Sequence, residues 1–202
     1  MITRLSTSKN HFLDTNVILR HANNDSGNAS ADIQTILNDA VGPKKTRSIW
    51  ISSILFAELR PSCFHPGQFE SIEDLSTYIR SLCTVVGLDP PTMMRAARLR
   101  DVVWRNPKAV AGEKPKSMSL GDSVHIASAL WVKEAIGVTD LEFLTFDDGR
   151  GTTSEVEEGS KSLSLLRLEN YTDGLGNNPD VNAAVMLARL APYISKQASF
   201  GV

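Results

Sequence analysis

Four acidic residues stand out in this sequence because each is embedded in an apolar stretch. Asp14 follows HFL, Glu58 follows ISSILFA, and Asp147 follows FLTF. Asp122 lies within SLGDSVHIA. An isolated buried carboxylate is costly or takes up a proton, unless a cation or hydrogen-bond donors compensate its charge. Four such groups in one cleft would repel one another, and a divalent ion would relieve that repulsion. Oxygen ligands without His or Cys favour Mg²⁺ or Mn²⁺ over zinc.

Each acid taken alone also has a purely structural explanation. Asp14 can form a turn at a strand end, and Asp147 can do the same in the sequence DDG. Glu58 can be a solvated helix residue. Asp122 can be a first-turn acid that the helix dipole stabilises behind a Ser119 cap. The four together, each at the boundary of an element, favour a shared site.

The elements that would position these acids alternate between strands and helices. This alternation predicts a parallel sheet with helices on both faces, and ligands bind such sheets outside the carboxyl ends of the strands. Asp14 and Asp147 both lie at such ends. Periodicity and capping residues predict strands at 10–13, 47–53, 84–88, 142–146 and 162–168, and helices at 16–21, 30–40, 54–60, 70–82, 91–104, 119–136 and about 181–194.

The composition is that of an ordinary globular protein. The chain has 202 residues, is 42% hydrophobic and carries a net charge of −2, which suits one well-packed domain and excludes a globally basic nucleic-acid binder. Cys63 and Cys83 form no metal-binding pattern, so we expect reduced thiols. The N-terminus lacks the apolar stretch of a signal peptide, and the apolar run at 49–57 is too short to span a bilayer. We therefore expect a cytoplasmic protein without a membrane partner.

Four segments in this order resemble the successive motifs of PIN-domain ribonucleases, including the VapC-like toxins of type II toxin–antitoxin modules. They are FLDTNVIL, ISSILFAEL, LGDSVHIASAL and FLTFDDG, and they lie within residues 10–150. The resemblance implies an α/β fold, a PIN-like three-layer α/β/α sandwich with a central, mainly parallel sheet. It also implies cleavage of RNA that depends on Mg²⁺ or Mn²⁺.

The resemblance assigns four catalytic, metal-binding acids by motif position. Asp14, Asp122 and Asp147 would be direct or water-mediated metal ligands. Glu58 would hold a second ion or orient the attacking water. The fourth acidic role falls on either Asp147 or Asp148, and strand geometry favours Asp147. The polar residues that accompany the acids and would aim their oxygens are Asn16, Ser52 and Thr145.

A basic stretch leads into the Asp122 segment. Between residues 95 and 116 there are seven basic and two acidic residues, a local balance of +5. This stretch either guides an RNA backbone toward the acids or forms a solvated helix face and a loop. Trp104 either stacks a base or packs in the core, and His125 is either a general acid or a packed or surface histidine. The predicted RNA contacts are Arg95, Arg98, Lys108, Lys114 and Lys116, with Arg20 and Arg150 as weaker candidates.

We expect two regions in the chain. Residues 1–170 would form the PIN-like nuclease domain, and 171–202 a linker with an amphipathic helix that packs on that domain or on the mate in a homodimer. The expected function is a metal-dependent endoribonuclease that hydrolyses RNA phosphodiester bonds, as a toxin with an antitoxin protein as its partner. The alternative is a non-catalytic PIN-like scaffold that binds RNA or protein. The presence of all four acids favours the enzyme.

Overall fold

A five-stranded sheet organises the part of the chain that the structure describes. The computed structural model describes residues 8–23, 28–43, 45–65, 68–107, 115–149, 163–171 and 177–193. The strands are β1 (Asn10–Leu13), β2 (Ser48–Ser52), β3 (Thr84–Val86), β4 (Glu142–Leu144) and β5 (Ala188–Leu190). The helices are α1 (Thr15–Ala22), α2 (Asn28–Asn38), α3 (Leu55–Glu58), α4 (Ile72–Leu82), α5 (Pro90–Asp101), α6 (Leu120–Glu134) and α7 (Pro179–Met186), with 3-10 helices at Pro61–Cys63 and Leu165–Asn170.

Every strand pair in the sheet is parallel, in the order β3-β2-β1-β4-β5. The chain builds the sheet outward from β1 through β2 to β3, then returns to the other side of β1 with β4. This reversal makes a switch point between β1 and β4, where open α/β sheets bind ligands outside the carboxyl ends of the strands.

Apolar residues alternate between the two faces of the sheet, as the pleat of a strand requires. Phe12 and Phe143 pack against α5, α6 and α7, with their rings stacked at 5.7 Å between centroids. Their neighbours Leu13 and Leu144 pack on the opposite face with α1, α2 and α4. The sheet therefore has helices on both faces, which confirms the predicted three-layer α/β/α sandwich with a parallel sheet.

Helix α6 is enclosed on two sides. Its residues 123–130 are all buried, because one side packs on the sheet and the other on α5 and α7. Even so, none of the helices in the described ranges is both long and apolar enough to cross a membrane.

The strand predicted at 162–168 is wrong for the residues that the structure describes. Residues 165–170 form a 3-10 helix instead. Leu165 and Leu168 are both buried, and their spacing of three places them on one side of such a helix. The amides of Leu165 and Leu166 donate to Asp147 rather than to a neighbouring strand. Residue 162 lies outside the described ranges.

The predicted helix at 181–194 is also corrected. Helix α7 ends at Met186, the chain becomes extended at Leu187, and 188–190 form edge strand β5 beside β4. The buried Arg189 side chain explains the break, since it donates to the carbonyl oxygens of Ala184, Val185 and Leu187 at the end of α7. These bonds satisfy acceptors that a longer helix would have used. Residue 194 lies outside the described ranges.

Candidate active site

The candidate site lies at the carboxyl ends of β1 and β4, beside the switch point of the sheet. Asp14 follows β1 directly, and Thr145 follows β4. The Asp14 amide donates to the carbonyl oxygen of Leu144 at 3.0 Å, which extends the pairing of the two strands by one residue. Because the strands are parallel, both polar residues emerge at the same edge of the sheet.

Two side chains hold one oxygen of the Asp14 carboxylate. Oδ2 accepts from Thr145 Oγ1 at 2.6 Å and from Asn16 Nδ2 at 2.7 Å. Asn16 is itself fixed, because its Oδ1 accepts from the amide of Phe146 at 3.0 Å. Asp14 is 4% exposed, and burial raises the pKa of its carboxyl. The structure therefore brings Asn16 and Thr145 onto the first acid, where they set the direction of its oxygens.

Asp147 joins the same network through Thr145. Its amide donates to Thr145 Oγ1 at 2.9 Å, while its carboxylate accepts from the amides of Gly149 and Leu165 at 2.8 and 3.3 Å. Burial raises the pKa of the Asp147 carboxyl, and the negative charge of Asp14 adds to the rise. The neighbouring Asp148 is exposed. Of the two adjacent acids, the structure thus brings Asp147 toward Asp14.

Asp122 reaches the site from the first turn of α6. Ser119 caps this helix, and its Oγ accepts from the Asp122 amide at 3.1 Å. Burial raises the pKa of the Asp122 carboxyl to about 7, and the charges of Asp14 and Asp147 contribute to the rise. Three aspartates from distant parts of the sequence therefore interact electrostatically at one edge of the sheet.

Glu58 occupies a different position from the three aspartates. Its Oε2 accepts from Thr15 Oγ1 at 2.5 Å and from His125 Nε2 at 2.8 Å. Burial acts to raise the pKa of Glu58, but the hydrogen bond and charge of His125 outweigh it and lower the pKa. Burial acts to lower the pKa of His125, and the carboxylates of Glu58 and Asp14 reverse the effect, so that its pKa is raised. The pair is therefore favoured as carboxylate and imidazolium.

A glycine on α6 provides the space for Glu58. A Cβ at Gly121 would lie 1.8 Å from Glu58 Oε1, far inside any allowed contact. Gly121 and Thr15 were not predicted from the sequence as site residues. For His125 the sequence allowed two interpretations, a general acid or a packed or surface histidine. Each of them follows from its position beside a predicted acid: Thr15 after Asp14, Gly121 before Asp122, and His125 one helical turn later.

Ser52 lies at the end of β2 but bonds away from the carboxylates. Its Oγ accepts from Ser128 Oγ at 3.2 Å and from the amide of Ile54 at 3.4 Å. These bonds fasten β2 to α6 and start the turn into α3. Ser52 thus supports the strand that precedes Glu58, and its role in aiming a carboxylate stays a prediction.

Two of the predicted RNA-contacting residues, Arg95 and Arg98, form ion pairs away from the acids. Arg95 pairs with Glu134 at 2.6 Å and with Asp180 at 3.1 Å, and Arg98 pairs with Asp180 at 2.6 Å. Glu134 ends α6, twelve residues and thus about 18 Å along the helix from Asp122. Arg95 and Arg98 therefore fasten α5 to α6 and α7, and contact with RNA at these residues stays a prediction.

Lys116, the last residue of the basic stretch, also contacts another side chain of the fold. Lys116 Nζ donates to the Tyr171 hydroxyl at 2.9 Å. The helix predicted at 91–104 ends at Asp101, and Trp104 pairs through its backbone with Lys116. The Trp104 side chain is 0% exposed, which confirms core packing and makes base stacking wrong. Arg20 lies 4.0 Å above the ring of Phe146. Lys108, Lys114 and Arg150 lie outside the described residues.

The donor set of the site suits a hydrated hard cation. In the described part of the chain, no three His, Cys, Asp or Glu side chains lie close enough to form a complete metal-binding cluster. Mg²⁺ keeps several of its waters and is commonly held by one or two carboxylates, so it does not need such a cluster. Asp14, Asp122 and Asp147 offer oxygen ligands whose mutual repulsion a cation would reduce.

No known family model matches this chain, and no curated protein sequence is significantly similar to it. The resemblance to PIN-domain ribonucleases therefore depends on the four motifs and on their order along the chain.

Proposed function

We propose that this protein is a Mg²⁺- or Mn²⁺-dependent endoribonuclease of the PIN-domain type, which hydrolyses phosphodiester bonds in RNA. One observation carries the proposal. The carboxyl groups of Asp14, Asp122 and Asp147 come from three separate segments, yet they act on one another strongly enough to contribute to raised pKa values. Repulsion among three carboxylates is unfavourable for folding, and a reaction that depends on a bound cation would explain why the three lie together.

The residues of the site divide into groups that bind and groups that orient. Asp14, Asp122 and Asp147 would hold the ion, which supplies a water of lowered pKa and stabilises charge on the phosphate oxygens. Thr145 and Asn16 occupy Oδ2 of Asp14, so Oδ1 is the oxygen directed away from that network. Glu58 remains ionised beside His125 and would accept a hydrogen bond from the water that attacks phosphorus.

The proposal is tested by cleavage of a mixed RNA pool with Mn²⁺ or with EDTA. We expect wild type with Mn²⁺ to cleave, EDTA to abolish cleavage, and Asp14→Asn to lose at least about 100-fold in rate. Asp74→Asn is the control, because it makes the same chemical change at an exposed aspartate in the first turn of α4, outside the four motifs. Cleavage that survives EDTA, or an Asp14→Asn variant as active as wild type, contradicts the proposal.

A non-catalytic PIN-like scaffold is the second candidate. The described residues contain no complete metal-binding cluster, which favours this alternative. Calorimetry with Mn²⁺ separates the two functions. A protein that takes up no Mn²⁺ at millimolar concentration and still binds RNA is a scaffold, whereas the enzyme should bind the ion and lose it in Asp14→Asn.

Within the proposed function, we assign the protein to the cytoplasm as a toxin with an antitoxin partner. Co-expression with the product of an adjacent reading frame tests the partner, since an antitoxin should relieve growth arrest and block cleavage. Light scattering tests the proposed homodimer. Helix α7 already packs on α5 and α6 of its own chain, so a dimer would not need it as an exchanged element.

A further inference from the structure

We propose that His125, Thr15 and Gly121 are positioning residues that set the Glu58 carboxylate for catalysis, an inference that rests on the proposed nuclease function. Together these three residues are called the Glu58 seat. The seat brings together the start of α1, the end of α3 and the first turns of α6.

The seat holds the two carboxylate oxygens of Glu58 differently. Oε2 accepts hydrogen bonds from Thr15 Oγ1 and His125 Nε2. These two donors lie 3.0 Å apart, so Thr15 Oγ1 can also accept from the imidazole. Oε1 lies beside Gly121, the residue immediately before Asp122. With Oε2 engaged by the protein, Oε1 is the oxygen of Glu58 that is directed toward the Asp122 turn.

The hydrogen bonds of His125 indicate that it orients Glu58 rather than merely filling space in the core. The side chain is 1% exposed, and among the described residues its Nδ1 has no hydrogen-bond partner. All of its described hydrogen bonds are therefore made at Nε2, toward Glu58 and Thr15. A buried histidine with one unsatisfied nitrogen is unfavourable as a packing residue, since an aliphatic side chain would fill the same volume without that cost.

Gly121 adds a steric requirement that is independent of the hydrogen bonds. Glycine is less favourable than alanine inside a helix, and Gly121 lies in the first turn of α6 without a positive φ. Alanine would fit only if the Glu58 carboxylate moved from its observed position, because the added Cβ would overlap Oε1. Glu58 is nevertheless 33% exposed, so the carboxylate that the seat orients is accessible to a substrate.

The kinetic test compares variants that remove or keep each donor. His125→Leu and Thr15→Val should lower kcat for RNA cleavage by about 10- to 100-fold, the range for residues that orient a catalytic group. Their KM should change less than about twofold. His125→Gln should recover most of kcat, because its amide nitrogen donates from nearly the position of Nε2. Ser123→Ala is the control, since Ser123 is buried on the same helix but bonds to the carbonyl of Leu120.

A second test examines the geometry of the Glu58 seat by thermal unfolding, without an activity assay or a metal ion. Gly121→Ala should lower Tm by roughly 2–5 °C when Glu58 is present, since the new Cβ displaces the carboxylate from its donors. In a Glu58→Ala background the same substitution should not lower Tm, because the overlap is gone and alanine is the better helix former. This comparison remains available if His125→Leu does not fold.

The outcomes separate the seat from the nuclease. A wild type that cleaves no RNA refutes the proposed function and with it the catalytic purpose of the seat, while the Tm comparison still judges the seat itself. An active wild type with unchanged kcat in His125→Leu and Thr15→Val overturns the positioning role. An equal Tm loss from Gly121→Ala with and without Glu58 overturns the geometry of the seat. Loss of kcat in these variants together with a Glu58-dependent Tm loss supports the inference.

Discussion

Replacing Asp122 with asparagine should stabilise the metal-free protein above neutral pH. Burial, followed by the charges of Asp14 and Asp147, raises the pKa of Asp122 from 3.8 to about 7. An acid whose pKa is raised by folding binds more protons in the folded state. Its contribution to stability is complete below pH 3.8 and is lost as the pH rises through 7. Asparagine keeps the shape of the protonated acid and never acquires the charge.

The magnitude follows from the size of the pKa shift. A shift of about 3 units corresponds to about 4 kcal/mol, and solvent screening of this partly exposed carboxyl reduces it to about 2–4 kcal/mol. Asparagine also gives up the attraction between a carboxylate and the first turn of α6, about 0.3–1 kcal/mol. The net gain at pH 8 is about 1–4 kcal/mol. In a chain of 202 residues, each kcal/mol raises Tm by about 2–4 °C.

The assay is thermal unfolding of wild type and Asp122→Asn in EDTA between pH 5 and 8.5. The difference in Tm should widen with pH and level off above pH 7. Adding Mn²⁺ should stabilise wild type more than the variant and narrow the difference. Asp74→Asn is the control, because Asp74 occupies the same position behind the Ser71 cap of α4 and is exposed. Like Asp122→Asn, this variant loses the attraction between a carboxylate and the first turn of its helix. Unlike Asp122→Asn, it removes no buried carboxylate.

Two results would refute this reasoning. One is a difference between wild type and Asp122→Asn that stays constant from pH 5 to 8.5. The other is a Tm difference between wild type and Asp74→Asn that widens with pH by the same amount. Either would mean that the aspartates of the site do not repel one another in the folded protein, and the main support for the proposed cation site would be lost.

Two further predictions concern a buried histidine and a buried arginine of the fold. Burial and the charge of Arg47 lower the pKa of His11 from 6.5 to about 4, so wild type should lose about 3 kcal/mol more than His11→Gln in urea unfolding as the pH falls from 6.5 to 4. If the free energies of unfolding of the two proteins depend on pH in the same way, the pKa of His11 is not lowered. Arg189→Met should destabilise the protein by about 2–4 kcal/mol, because it leaves buried carbonyl oxygens at the end of α7 without donors. Urea unfolding measures the loss, and a change below about 0.5 kcal/mol would show that Arg189 does not end this helix.

Local sequence was sufficient to predict where most elements and acids lie. Asp14 ends a short apolar run, and Asp122 follows a Ser119 cap by three residues, so both positions can be predicted from a few neighbouring residues. Alternation of strands and helices was likewise enough to predict the parallel three-layer fold. The error at 188–190 has a physical cause. Helix and edge strand were both compatible with the local pattern, and the contacts of Arg189 with α7, together with pairing to β4, decided between them.

By itself, the sequence determined which residues are acidic, apolar or small, and which of them lie at the ends of elements. The order of the strands was decided only by the folded chain, because it depends on which residues far apart in the sequence pair with one another. That order brings Asp14 beside Thr145 and directs Glu58 toward His125, contacts that join residues 131 and 67 positions apart. No local pattern specifies such pairs, since a hydrogen bond depends on distances that only the packed helices and sheet establish.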